Sequence, residues 1–120
     1  MSRSLVIKVT HALEDPERAH IGCNVAATAL ASGVDVHLFL AIEGVHLAVP
    51  SVPEQLKLDD APAIGSLLDA IYAAGTVTVC TPCATRRQLS QENFRPGTQM
   101  AGSARFVELA TAEGAQALVY

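Results

Sequence analysis

Two cysteines stand three positions apart in Cys80-Thr81-Pro82-Cys83, and their setting suits sulfur chemistry. The β-branched run Thr76-Val77-Thr78-Val79 predicts a strand that ends on Cys80. Thr81 then reads as an N-cap and Pro82 as a first helical residue, which predicts a short helix over 81–89. Cys80 would stand just before this helix and Cys83 in its first turn. A helix N-terminus carries partial positive charge and unpaired N–H groups, and both favour thiolate over thiol. Thiolate is the nucleophilic form of cysteine, so Cys80 and Cys83 are the expected catalytic residues. Arg86 and Arg87 follow one to two turns on and add positive charge.

Other uses of these residues weigh less. A free cysteine often packs as a small hydrophobe, which is the expected role of Cys23 in its Ala-rich surroundings. Structural zinc usually takes four ligands, of which Cys80 and Cys83 supply two. His11 and His46 would have to complete the set, and no spacing fixes their distance, so no metal site is expected. Asp59-Asp60 reads as a helix start and not as a catalytic carboxylate pair. His20 and His37 are expected on solvated or partly buried surface. Gly22, Gly33 and Gly44 do not form the GxGxxG of a dinucleotide site, and no cofactor is expected.

The elements that would position the pair alternate between strand and helix. Residues 5–10 predict the first strand. Asp15 and Pro16 then start an Ala-rich helix over 16–32, which Gly33 ends. Residues 34–40 are almost continuously apolar, as in a strand covered on both faces of a parallel sheet. Residues 41–58 carry Pro50 and Pro53 and predict no long regular element, with Glu43-Gly44-Val45-His46 as a loop. A helix over 61–74 leads to the strand at 76–80. Residues 91–97 read as a loop, 98–101 as a short strand, 103–113 as a helix and 117–119 as the last strand. This order predicts a single α/β domain over 1–120 with a mainly parallel five-stranded sheet. Ligands of such sheets lie beyond the carboxyl ends of the strands. His11, Glu43 and His46 follow the first two strands, and with Arg86 they are the expected binding residues around the cysteines.

Composition narrows the classes. The chain has 120 residues, half of them apolar and 17% charged, which suits one packed domain and not a disordered chain. A net charge of −4 without a Lys/Arg cluster argues against nucleic acid as a partner. No apolar stretch reaches the roughly 18 residues of a membrane helix. The run Leu5-Val6-Ile7 is too brief for the apolar core of a signal peptide. Three cysteines make an odd count that does not suit a secreted disulfide framework, so a cytoplasmic protein is expected.

The ordered set of features resembles the DsrE/DsrF-like family over nearly the whole chain. It comprises the opening strand, the Ala-rich helix from Pro16, the strand at 34–40 followed by Glu43-Gly44-Val45, the cysteine ending the third strand, and Gly97-Thr98-Gln99-Met100-Ala101-Gly102-Ser103-Ala104. The resemblance implies a three-layer α/β/α sandwich and a homo-oligomer, as dimer, trimer or hexamer. It also implies that Cys80 takes sulfur as a persulfide from a donor protein and passes it to an acceptor. Cys83 would resolve that persulfide. Two alternatives stand beside sulfur transfer. One is thiol–disulfide exchange, since the CxxC spacing with its proline resembles that of thioredoxins. The other is a non-enzymatic oligomeric binding protein.

Overall fold

The computed structural model describes residues 3–120. Its five strands are β1 (Ser4–Val9), β2 (Asp35–Leu40), β3 (Thr76–Cys80), β4 (Thr98–Ala101) and β5 (Ala115–Val119). Its four α-helices are α1 (Pro16–Ala31), α2 (Ile64–Ala74), α3 (Thr81–Arg86) and α4 (Ser103–Ala110). All neighbouring strands run parallel, in the order β4-β3-β2-β1-β5. The α/β architecture with helices on both sides of the sheet is as expected.

Strand alternation divides the sheet into two faces. The register aligns Ile7 with Leu38 and Leu38 with Val77, and two residues on it aligns Val9, Leu40 and Val79. All six are essentially solvent-free and form the main core with Ala19, Cys23 and Ala26 of α1 and Leu68 and Ile71 of α2. The small side chains of α1 let it lie close to the sheet. Gly22 marks the tightest approach: a Cβ there would stand 2.5 Å from Val9 Cγ2. On the opposite face Phe39 meets Phe106 of α4 edge to face, with ring centroids 5.4 Å apart. Lys8 lies between them, its Nζ 3.9 Å from the centre of the Phe106 ring.

Local chemistry explains most element ends. Asp15 caps α1, its carboxylate accepting from Arg18 N–H at 3.3 Å. Gly33 follows that helix at φ +85°, the left-handed conformation that glycine adopts without strain. Several boundaries differ from expectation. Cys80, not Thr81, is the capping position of α3, so Thr81 and Pro82 both fall inside the helix, and α3 stops at Arg86 rather than 89. Asp59 and Asp60 form a turn with Asp60 at φ +55°, and α2 begins only at Ile64, after Pro62. α4 ends at Ala110 rather than 113.

The segment expected to be a loop from Glu43 to His46 is part of a 3-10 helix, Ile42–Ala48. Its Gly44, Val45, Leu47 and Ala48 are buried, so the segment is anchored in the core and not merely solvated. A second 3-10 turn covers Pro53–Gln55. His20 is also more enclosed than expected: it is buried, with Nε2 at 2.7 Å from the Pro62 carbonyl. His37 is half-buried and pairs with Thr76 Oγ1 at 2.8 Å.

Candidate functional site at the end of β3

The strand order sets β1, β2 and β3 side by side, so the segments leaving their carboxyl ends meet at one edge of the sheet. Cys80 closes β3, and alternation turns its side chain to the face that carries Thr78, Phe39 and Lys8. Cys83 comes back toward it from the first turn of α3, and the two thiols are in hydrogen-bonding contact. They are only 9% and 7% exposed, so the pair sits at the rim of the core and not on the open surface.

The two thiols differ in their surroundings. Burial pushes the Cys80 thiol above the ordinary thiol range, and the hydrogen bond it makes to Cys83 pushes the same way. The Cys83 backbone and the Lys8 ammonium oppose this without reversing it. Burial acts on Cys83 in the same direction but is outweighed. The hydrogen bond from Cys80, the backbone N–H of Ile42 and the positive charges of Arg86 and Arg87 together leave Cys83 below the ordinary range. The direction at Cys80 is thus opposite to the one its place before a helix suggests. Desolvation at the end of a central strand dominates there. Cys23 is fully enclosed in the core, and burial pushes its thiol up to about 12. It packs as a small hydrophobe, as expected.

An ion-pair chain connects the cysteines to the Ile42–Ala48 segment. Arg87 Nη1 donates to the Cys83 carbonyl at 3.1 Å, and Arg87 Nε donates to Glu43 Oε2 at 2.7 Å. His46 Nε2 lies 3.8 Å from Glu43 Oε1. Ile42 starts this segment at φ +55°, a left-handed conformation that is a genuine outlier for a β-branched side chain. Glu43 and His46 therefore join the cysteine edge through Arg87. Arg86 acts on Cys83 through its charge, from an exposed position. His11 instead pairs with Glu14 at 2.9 Å. Glu14, Glu43 and His46 share a small cavity of about 200 Å³ with Ala12, Leu13 and Val52, which neither cysteine lines.

Sequence reasoning undervalued Arg87 and passed over Lys8 and Ile42. The Arg86-Arg87 pair was visible, but only tertiary contact with Glu43 singles out the second arginine. Among the described residues no three His, Cys, Asp or Glu side chains cluster closely enough to hold a metal ion. A larger cavity, about 700 Å³, lies elsewhere, between Leu47, Leu56, Leu68 and Arg95. No helix among the described residues is long and apolar enough to cross a membrane.

The DsrE/DsrF-like family model matches residues 3–119. The chain belongs to the DsrE/DsrF-like family. Two archaeal relatives agree with this. The uncharacterized protein MJ0989 of Methanocaldococcus jannaschii is 36% identical over 98 residues, covering 78% of this chain and 79% of its own. The uncharacterized protein MK0008 of Methanopyrus kandleri is 32% identical over 98 residues, covering 81% of this chain and 78% of its own. Solved structures share the DsrE-like fold at lower identity. The ychN protein from E. coli superposes with a TM-score of 0.78 at 19% identity, over 98% of this chain and 99% of that one. MTH1491 from Methanobacterium thermoautotrophicum, a protein of unknown function, superposes at 0.74 with 12% identity, over 99% of this chain and all of that one.

Proposed function

We propose that this DsrE/DsrF-like chain is a sulfur carrier that takes sulfur as a persulfide on its Cys80–Cys83 pair. One observation carries the reading: two thiols touch at the carboxyl end of β3, and one of them is held below the ordinary thiol range. Cys80 stands at the strand end where the family resemblance puts the carried sulfur, and Cys83 is within reach to exchange it. In the loading step a cysteine thiolate attacks the outer sulfur of a donor persulfide. A new S–S bond forms, the donor's S–S bond breaks, and the donor leaves as a thiolate. The outer sulfur can then pass by the same exchange to an acceptor thiolate on a partner protein. Such chemistry needs reduced thiols, so the reading assumes the cytoplasm.

Mass spectrometry after incubation of the reduced chain with a small persulfide donor tests the reading. The expected result, in chains with Cys80 or Cys83 changed to Ser so that the neighbouring thiol cannot discharge the sulfur, is a gain of about 32 Da, one sulfur atom, on the peptide that holds the remaining cysteine. Reduced Cys80→Ser and Cys83→Ser chains that both never gain this mass refute it.

The reading includes a homo-oligomer, as the resemblance implies. Val107, Leu118 and Val119 support it, being large apolar side chains left 55%, 36% and 62% exposed on α4 and β5. Sedimentation velocity at micromolar concentration should find a species larger than one chain, and a purely monomeric boundary would remove this part.

A further inference from the structure

We propose that β5 is the seam of a two-fold homodimer, in which two copies of the strand pair antiparallel about Ala117 and join two five-stranded sheets into one. This rests on the homo-oligomer included in the proposed function, and it fixes the surface, the symmetry and the register.

The two edges of the sheet are finished differently. β4 at one edge is short, and Gln91 Nε2 donates to its Thr98 carbonyl at 2.8 Å. β5 at the other edge holds neither a charged residue nor a proline, and Gln116 to Val119 are all exposed. An open strand edge is a template for another strand, and charge or proline on the edge is how proteins discourage such pairing. β5 also carries apolar side chains on both faces: Leu118 aligns with Ile7 on one, and Val119 with Lys8 on the other.

Backbone bonding selects a second copy as the occupant. Toward β1, the Gly114 and Tyr120 carbonyls accept from Ser4 and Thr10, and Tyr120 N–H donates to the Lys8 carbonyl. Alternation then turns the N–H and C=O groups of Ala115, Ala117 and Val119 away from the sheet. Ala115 N–H is already bonded to the Ala112 carbonyl at 3.0 Å. The outward donors that remain on β5 are those of Ala117 and Val119. An antiparallel copy centred on Ala117 takes up both. Ala117 exchanges N–H···O=C bonds with Ala117 of the second copy, and Val119 N–H donates to Ala115 C=O of that copy. Symmetry repeats the second bond in the other direction, so the patch is complementary to itself, as a two-fold interface requires.

Charge agrees with self-pairing. A two-fold axis sets like against like, which disfavours an unpaired charge beside it. β5 is uncharged, and the two charged side chains of α4, Arg105 and Glu108, pair with each other. Val107 of α4, 55% exposed, extends the apolar surface on the face that carries Val119. Antiparallel pairing also points the carboxyl ends of the two sheets in opposite directions. The two cysteine pairs then lie at opposite ends of the dimer, each open to its own sulfur donor.

Sedimentation equilibrium of the full chain and two variants tests the seam. Ala117 is exposed, so Ala117→Lys and Ala117→Glu should leave the fold of each chain intact, which far-UV circular dichroism checks. The wild type is expected as a dimer or a multiple of dimers. Each variant alone sets like charges opposite each other at the axis and should show half that mass, with self-association weakened by about a hundredfold or more. An equimolar mixture of the two variants should regain the wild-type mass, because Lys then faces Glu. Misfolded chains would not recover in this way. Amide hydrogen exchange on the wild type gives a second reading: the N–H groups of Ala117 and Val119 should exchange slowly in the oligomer.

Variants that both keep the wild-type mass, a mixture that stays at half of it, an odd-numbered wild-type oligomer, or fast exchange at Ala117 and Val119 would each overturn the seam and leave the homo-oligomer standing. A wild-type chain that is monomeric throughout would defeat the homo-oligomer reading and the seam with it.

Discussion

Gly44→Ala should destabilise the chain by about 3 kcal/mol. A Cβ at residue 44 would stand 2.1 Å from the Val9 carbonyl oxygen and 2.9 Å from the Val9 carbonyl carbon. Both are backbone atoms of a central strand, so neither can turn away as a side chain would. The 3-10 segment must lift off β1, which exposes Val45 and Leu47, both buried in the folded chain. The same movement carries Ile42 and Glu43 away from Cys83 and Arg87. Gly65→Ala is the control, because its Cβ would meet nothing within 4 Å. Urea unfolding should show a markedly lower midpoint for Gly44→Ala and no loss for Gly65→Ala. Equal midpoints would mean that the segment is not seated on the strand end.

Loaded with a persulfide and freed of donor, the wild-type chain should release close to one hydrosulfide per sulfur carried, without added thiol. Both single serine variants should release none. The contrast is all or none, because the releasing step needs a thiolate to attack the inner sulfur of its neighbour's persulfide and form a disulfide. The helical turn that opens α3 supplies that neighbour. Cys23 cannot substitute, since it is enclosed in the core with its thiol pushed up to about 12. A sulfide electrode follows release, and non-reducing peptide mapping locates the disulfide. Sulfide from Cys80→Ser would show that the two cysteines do not act together. A thiol–disulfide exchange protein would behave differently: it would oxidise and reduce the pair with disulfide substrates and release no sulfide.

The alternation of strand and helix was legible along the chain because each element carries its own signal. Near-continuous apolar residues at 34–40 require a strand covered on both faces, and Asp15-Pro16 and Gly33 mark the two ends of α1. The rule that sites lie beyond the carboxyl ends of parallel strands pointed to Cys80 and Cys83, and the resemblance named the family. Other features had no local signal. The prolines at 50 and 53 suggested an irregular connection, yet Val45, Leu47 and Ala48 bury themselves and draw the segment into a 3-10 helix. His20 was expected on solvated or partly buried surface because its sequence neighbours do not reveal that Pro62 would be folded across it.

The sequence by itself determined the fold class, the family and the cysteine pair, because helix caps, strand periodicity and a CxxC spacing are properties of short segments. Only the tertiary structure decided which strands lie side by side, and with that which segments meet the cysteine pair. The segment that starts at Ile42 reaches the pair through Arg87, which bonds both Glu43 and the Cys83 carbonyl, and that link exists only once β1, β2 and β3 have packed together.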